Sequence, residues 1–135
     1  MSPNVAARPT HVHTHCRYSH DPPVVAQGES LVARIENIEL TRAGQMGRIG
    51  RYPIHFHMIG AVKKSYCRGN SIHHTFNRAI AIHGVHYLRV QDNVAFENLG
   101  HAYFVEDGVE TRNIITGNFG ANTRPLFVGL TTDAT

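Results

Sequence analysis

Histidine and carboxylate recur at one place in three related stretches of this chain. His57 follows Ile54 by three residues in RYPIHFHMIG, and His83 follows Ile80 by three in AIAIHG. A third stretch, HAYFVEDG, carries Glu106 and Asp107 close to the same position. Side chains alternate between the two faces of an extended strand, so Ile54, Phe56 and Met58 oppose His55 and His57, while Ile80 and Ile82 oppose Ala81 and His83. Paired side by side, such strands bring the imidazoles of His57 and His83 within about 5 Å of each other.

That column suits more than one chemistry. For proton transfer, Asp107 or Glu106 is the acid or base and His83 the second proton carrier, tuned by the neighbouring histidine and carboxylate. Glycosidic cleavage usually takes two carboxylates, and here only one of the three stretches supplies acids. For metal binding, His57, His83 and Asp107 offer neutral nitrogen and oxygen ligands to a divalent cation, calcium or zinc. For a purely structural role, outward histidines form a hydrogen-bonded ladder between adjacent strands. In HAYFVEDG either Ala102 and Phe104 or Tyr103 and Val105 can be the inward pair; with Tyr103 on the same outer face as His55, the column also has the make-up of a floor for a polysaccharide groove. Arg48 and Arg51 of GQMGRIGR can pair with sugar carboxylates in bidentate fashion, although an exposed loop with incidental charge explains them equally well.

The other polar residues read as structural. His73 and His74 are adjacent, so they are expected on opposite faces, one at a corner and one packed. His86 and His101 lie beside turns and suit solvent or a corner hydrogen bond. Asn70, Asn93 and Asn118 are expected to stack as an asparagine ladder that satisfies backbone groups at each turn. The alternating histidines of THVHTH read as part of an irregular leader rather than as a metal site.

The elements that position these groups are short alternating strands separated by polar turns rich in Asn and Gly, residues that tolerate the left-handed backbone of a corner. Ile72, Val94 and Phe119 each follow a Ser or Asn at spacings of 22 and 25, with Ile38 as an earlier member, and Ile54, Ile80 and Ala102 form a second column at spacings of 26 and 22. Periods of this size, with no sustained 3.6-residue apolar pattern, indicate β-coils. The expected fold is all-β, a right-handed single-stranded parallel β-helix of about four coils over residues 29–125, behind an irregular leader at 1–28 and before a tail at 126–135.

At 135 residues with 41% hydrophobic and 17% charged composition, the chain has the make-up of one soluble globular domain. No apolar run approaches the 18 residues of a membrane-spanning helix, and the N-terminus has no apolar core of a signal peptide. The net charge of +3 comes from scattered Arg and Lys, which argues against nucleic acid. Cys16 and Cys67 are too few for a disulfide framework and lack zinc-ribbon spacing.

RYPIHFHMIG, SIHHTFNRAIAIHG and NVAFENLGHAYFVEDGVETRN resemble the parallel β-helix region of the family that includes the cell migration-inducing hyaluronan-binding protein, its transmembrane hyaluronidase relative and the fibrocystin-like receptors. The resemblance covers roughly residues 30–120. It implies an extracellular or surface protein, and a longer chain in which an eight-glycine domain precedes the β-helix. It also implies either a carbohydrate-active or carbohydrate-binding module for a hyaluronan-like glycosaminoglycan, hydrolytic in the enzyme branch, or a non-catalytic segment of a fibrocystin-like surface receptor.

Overall fold

The computed structural model describes residues 32–126 and, ahead of them, the backbone of two short strands. In chain order the strands are β1 (Thr10–Val12), β2 (Val24–Gln27), β3 (Arg34–Glu36), β4 (Ile38–Thr41), β5 (Ile54–Ala61), β6 (Tyr66–Arg68), β7 (Ser71–His73), β8 (Ile80–His86), β9 (Arg89–Gln91), β10 (Val94–Phe96), β11 (Tyr103–Val105), β12 (Ile114–Thr116) and β13 (Phe119–Ala121). Among the described residues there is no helix. Every strand pairing is parallel.

Successive strands visit three sheets in rotation. The first sheet runs β1-β4-β7-β10-β13, the second β2-β5-β8-β11 and the third β3-β6-β9-β12. Three strands therefore complete a circuit, each circuit is laid on the one before, and β13 opens the fifth. Within residues 1–28, expected to be an irregular leader, β1 and β2 pair with β4 and β5. Cys16, His13 and His15 lie outside the described residues, as does the tail beyond Leu126.

The core is made of side-chain columns that run through the stack. Leu40, Ile72 and Ala95 align in the first sheet. Ile54, Ile80 and Tyr103, with Phe56, Ile82 and Val105, align in the second. Ile35, Cys67, Val90 and Ile115 align in the third. Ile54, Phe56, Ile72, Ile80, Ile82 and Val90 are all at most 2% exposed. Each such side chain stabilises the fold by about 1.5–3 kcal/mol.

Two expected columns are out of step by one residue. The true partners of Val94 are Ser71 and Phe119, so Ile72 pairs with Ala95 and Ile38 lies one place early. Ile80 pairs with Tyr103 rather than Ala102. The register of the first sheet is fixed by asparagine, each inward residue following an Asn by two: Asn70 and Ile72, Asn93 and Ala95, Asn118 and Gly120. The position directly after Ser71 is inward but that after Asn93 or Asn118 is outward, and Val94 and Phe119 are 44% and 60% exposed.

The asparagines form the expected ladder. Asn70 Nδ2 donates to Asn93 Oδ1 at 2.8 Å, and Asn93 Nδ2 donates to Asn118 Oδ1 at 2.9 Å. The same oxygens accept the backbone N–H groups of Asn70 and Asn93, and Asn70 Oδ1 accepts that of Ile38. Buried backbone groups that no strand reaches are satisfied in this way. None of the three ladder residues has a positive φ. The left-handed corner positions fall instead on Asn37, Asp92, Arg42, His74 and Glu97, each just beyond a strand end. A non-glycine residue there costs on the order of 1–2 kcal/mol, which the paired strands on either side must offset.

Candidate functional site

The outer face of the second sheet carries the cluster. His57 pairs with His83 across β5 and β8, and the backbone N–H of Glu106 donates to Ile82 O at 2.9 Å, which carries the third circuit into the same column. His55 stands opposite Ala81, whose small side chain leaves room above it. A register shift follows His57, where Met58 takes φ 51, and Gly84 takes φ 58 just after His83. The histidines thus sit at the end of their regular ladder, where the chain turns away. A Cβ on Gly84 would lie 2.6 Å from Met58 Sδ, so a side chain there requires the thioether to move aside.

The stretch containing GQMGRIGR closes over this face. Asn77 Nδ2 holds it by donating to Gln45 O and Arg48 O, both at 3.0 Å. His55 Nδ1 donates to Gly50 O at 2.9 Å, and the Tyr52 ring meets the His55 ring edge-on at 4.9 Å. His55 points away from the core, yet this cover leaves it only 3% exposed. Burial pushes its pKa down to about 4, so it is neutral at neutral pH. Because a carbonyl can only accept, the proton is on Nδ1, and Nε2 presents its lone pair.

His83 faces a carboxylate through each of its ring nitrogens. Its Nε2 lies 3.0 Å from Asp107 Oδ2, and its Nδ1 lies 3.6 Å from Glu106 Oε2. The same Oε2 is 3.8 Å from His55 Nε2, beyond hydrogen-bond reach. The other Glu106 oxygen accepts the Tyr52 hydroxyl at 3.3 Å, and that hydroxyl accepts from Arg78 Nη1 at 3.0 Å. Burial raises the Tyr52 pKa. Arg78 is itself buried, and its guanidinium lies 3.7 Å from the centre of the Phe104 ring. His57 meets the rings of His55 and His83 edge-on at 4.9 and 4.8 Å.

The structure thus brings together His55, His57, His83, Glu106 and Asp107. Tyr103 is not among them: it belongs to the inward column of Ile54 and Ile80, and its hydroxyl donates to Asn93 O at 2.9 Å. The one-residue slip in the second column turned this ring to the wrong face. Arg48 and Arg51 are exposed on the covering segment. Tyr52, Asn77 and Arg78 escaped the sequence reading, because a covering loop and the residues that anchor it have no periodicity to betray them.

The remaining histidines divide. His73 and His74 do not face opposite ways: positive φ at His74 breaks the alternation, and their Nδ1 atoms approach to 2.6 Å. Their Nε2 atoms reach Glu39 and Glu97, each at 2.9 Å. His86 Nδ1 accepts the backbone N–H of Thr111 at 2.9 Å, the corner bond expected of it. His101 stacks on Phe104, with ring centres 5.1 Å apart.

Comparison with known proteins places this geometry in a family. The sequence model of the CEMIP beta-helix matches residues 24–135. Human fibrocystin-L is 44% identical over 104 residues, covering 76% of this chain and 2% of the relative. The human cell surface hyaluronidase CEMIP2 is 42% identical over 95 residues, covering 65% of this chain and 7% of the relative. The human cell migration-inducing and hyaluronan-binding protein is 44% identical over 88 residues, covering 60% and 6%. The chain therefore spans only a small part of the length of the curated relatives it matches. With most of its length matched by that model and its parallel strands stacked in three sheets, the chain belongs to the CEMIP beta-helix family.

Proposed function

We propose that the chain is a right-handed, solenoidal β-helix module of an extracellular or cell-surface protein, and that it binds and processes a hyaluronan-like glycosaminoglycan. The observation that carries this reading is the contact of His83 with Asp107 at 3.0 Å, beside Glu106, on the outer face of the second sheet. Relatives named for hyaluronidase activity and hyaluronan binding match 65% and 60% of the chain. Asp107, 41% exposed, is the acid or base nearest solvent, and His83 is the second proton carrier, oriented by Asp107 and Glu106. His57 and His55 shape the floor. Arg48 and Arg51 are exposed on the adjoining cover, where guanidinium groups meet sugar carboxylates.

The test is the size distribution of labelled hyaluronan incubated with the parent chain and with His83→Ala and Asp107→Ala, folding being checked by circular dichroism. Depolymerisation by the parent and its loss in both folded variants support the catalytic reading. No chain shortening by the parent, with or without added calcium or zinc, removes hydrolysis and leaves binding.

A second reading is favoured by the 44% identity to fibrocystin-L. In it the module is a non-catalytic segment of a receptor-like surface protein, and the asparagine ladder and the histidine column only hold the circuits in register. Hyaluronan binding distinguishes the two, since the scaffold requires none.

A further inference from the structure

We propose that His55, His57, His83 and Glu106 form a binding site for one divalent ion of the zinc class. The inference deepens the polysaccharide reading by naming an ion at the same cluster, and it rests on that reading only for the site's role. The argument begins from atoms that lack partners. His55 Nε2 and Glu106 Oε2 are buried without a hydrogen-bond partner, and His55 is 97% buried by residue. Leaving a buried polar group unsatisfied is costly, more so where charge is involved, so two facing each other call for something between them.

A cation suits the space between them. Gly50 O takes the Nδ1 proton of His55, and Asp107 accepts at Nε2 of His83. With a neutral His83, His55 Nε2 and His83 Nδ1 are left as lone pairs, and Glu106 Oε2 completes a set of three acceptors with no donor among them. A water molecule has two hydrogens and cannot satisfy three acceptors. A proton on His83 Nδ1 would serve Glu106 and still leave His55 Nε2 bare. One metal ion satisfies all of them at once.

The donor set selects the ion. Three imidazoles and one carboxylate suit zinc and its neighbours, whereas calcium takes six to eight oxygens. One ligand atom from each of His55, His57 and His83 lies within 4.8 Å of the others. Four ligands at ~2.1 Å in a tetrahedron lie roughly 3.4 Å apart, so an ion would draw these groups closer together. Gly50 O and Asp107 fix the ring orientations from behind, as acceptors on the far nitrogen do in histidine metal sites. Asp107, a ligand by the spacing argument, thereby becomes the group that orients His83.

The test uses the full chain with His11→Ala, His13→Ala and His15→Ala, which removes the alternating histidines as competing chelators. The protein is stripped with EDTA and titrated with Co2+ and then Zn2+, read by visible absorption and calorimetry. The expected result is one ion per chain, with a Co2+ d–d band that Zn2+ displaces. Affinity falls at least about tenfold in His57→Gln and in Glu106→Gln, and about 10–100-fold in Asp107→Asn, which removes no ligand. No saturable binding near one equivalent would overturn the proposal, as would unchanged affinity in folded His57→Gln and Glu106→Gln. Hyaluronan binding is measured separately in EDTA and ion binding without sugar, so each reading can fail while the other stands.

Discussion

Nε2 of His55 and Oε2 of Glu106 face each other across 3.8 Å, both buried and both without a hydrogen-bond partner, His55 on β5 and Glu106 just beyond β11, two circuits apart. The folded chain places them there by two devices. Parallel registration carries His57, His83 and Glu106 into one column, and the covering segment seals His55 from solvent with Gly50 and Tyr52.

Tyr52 ties that cover to the site. Tyr52→Phe removes a donor to Glu106 and an acceptor for the buried Arg78 guanidinium. The expected loss is about 1–2 kcal/mol of stability by urea denaturation. A change below about 0.3 kcal/mol would mean that the hydroxyl holds neither partner.

Asn93 is the middle rung of the ladder, bonded to Asn70, Asn118 and Cys67 O. Asn93→Ala leaves several buried groups unpaired, and the expected cost is about 2–4 kcal/mol. Asn118→Ala, which the structure leaves half-buried, costs less. Equal losses at the two positions would contradict the ladder as a graded device.

Gly84→Ala meets both a left-handed backbone and the Met58 sulfur. Met58 is flexible and 61% exposed, so the contact is relieved in the double variant with Met58→Ala, and the backbone strain of about 1–2 kcal/mol remains. Full recovery in the double variant would show that the backbone term is absent.

Cys67 sits in the core with its thiol pushed up to about 12 by burial. In a Cys16→Ser background, thiol reagents at pH 8 should modify it only as fast as the fold opens, and at once in denaturant. Prompt labelling of the folded protein would contradict its place between Ile35 and Val90.

Burial, aided by the Arg78 charge, lowers the His101 pKa. The unfolded chain, with its imidazole near ~6.5, therefore binds more protons than the folded one between the two values. The contribution of His101 is present above the unfolded value and is lost as pH falls through the folded one. In EDTA, His101→Gln should show a shallower fall in urea midpoint between pH 7.5 and 5 than the parent. Identical slopes would show that His101 titrates alike in both states.

The pairing of His57 with His83 was legible because both follow an inward isoleucine by three residues in strands that begin alike. The site's other half was not. In HAYFVEDG the alternation leaves two phases open, and the pairing with Ile80 selects the one with Tyr103 and Val105 in the inward column, which takes Tyr103 off the outer face. His73 and His74 defeat strict alternation through one left-handed residue, which leaves no mark in composition. Tyr52 and Arg78 enter through a loop that folds back over the sheet, a contact set by packing rather than by period. The ladder was readable in advance because Asn recurs at 70, 93 and 118 with the coil repeat itself.

The most direct test of the central claim is a titration of isotope-labelled protein with hyaluronan oligosaccharides, followed by backbone and imidazole NMR. The account predicts saturable shifts gathered on His57, His83, Asp107, Arg48 and Arg51, and their loss in folded Asp107→Ala. Absence of shifts at millimolar sugar would contradict it, as would shifts confined to the cleft of His73, His74 and Arg124 on the first sheet.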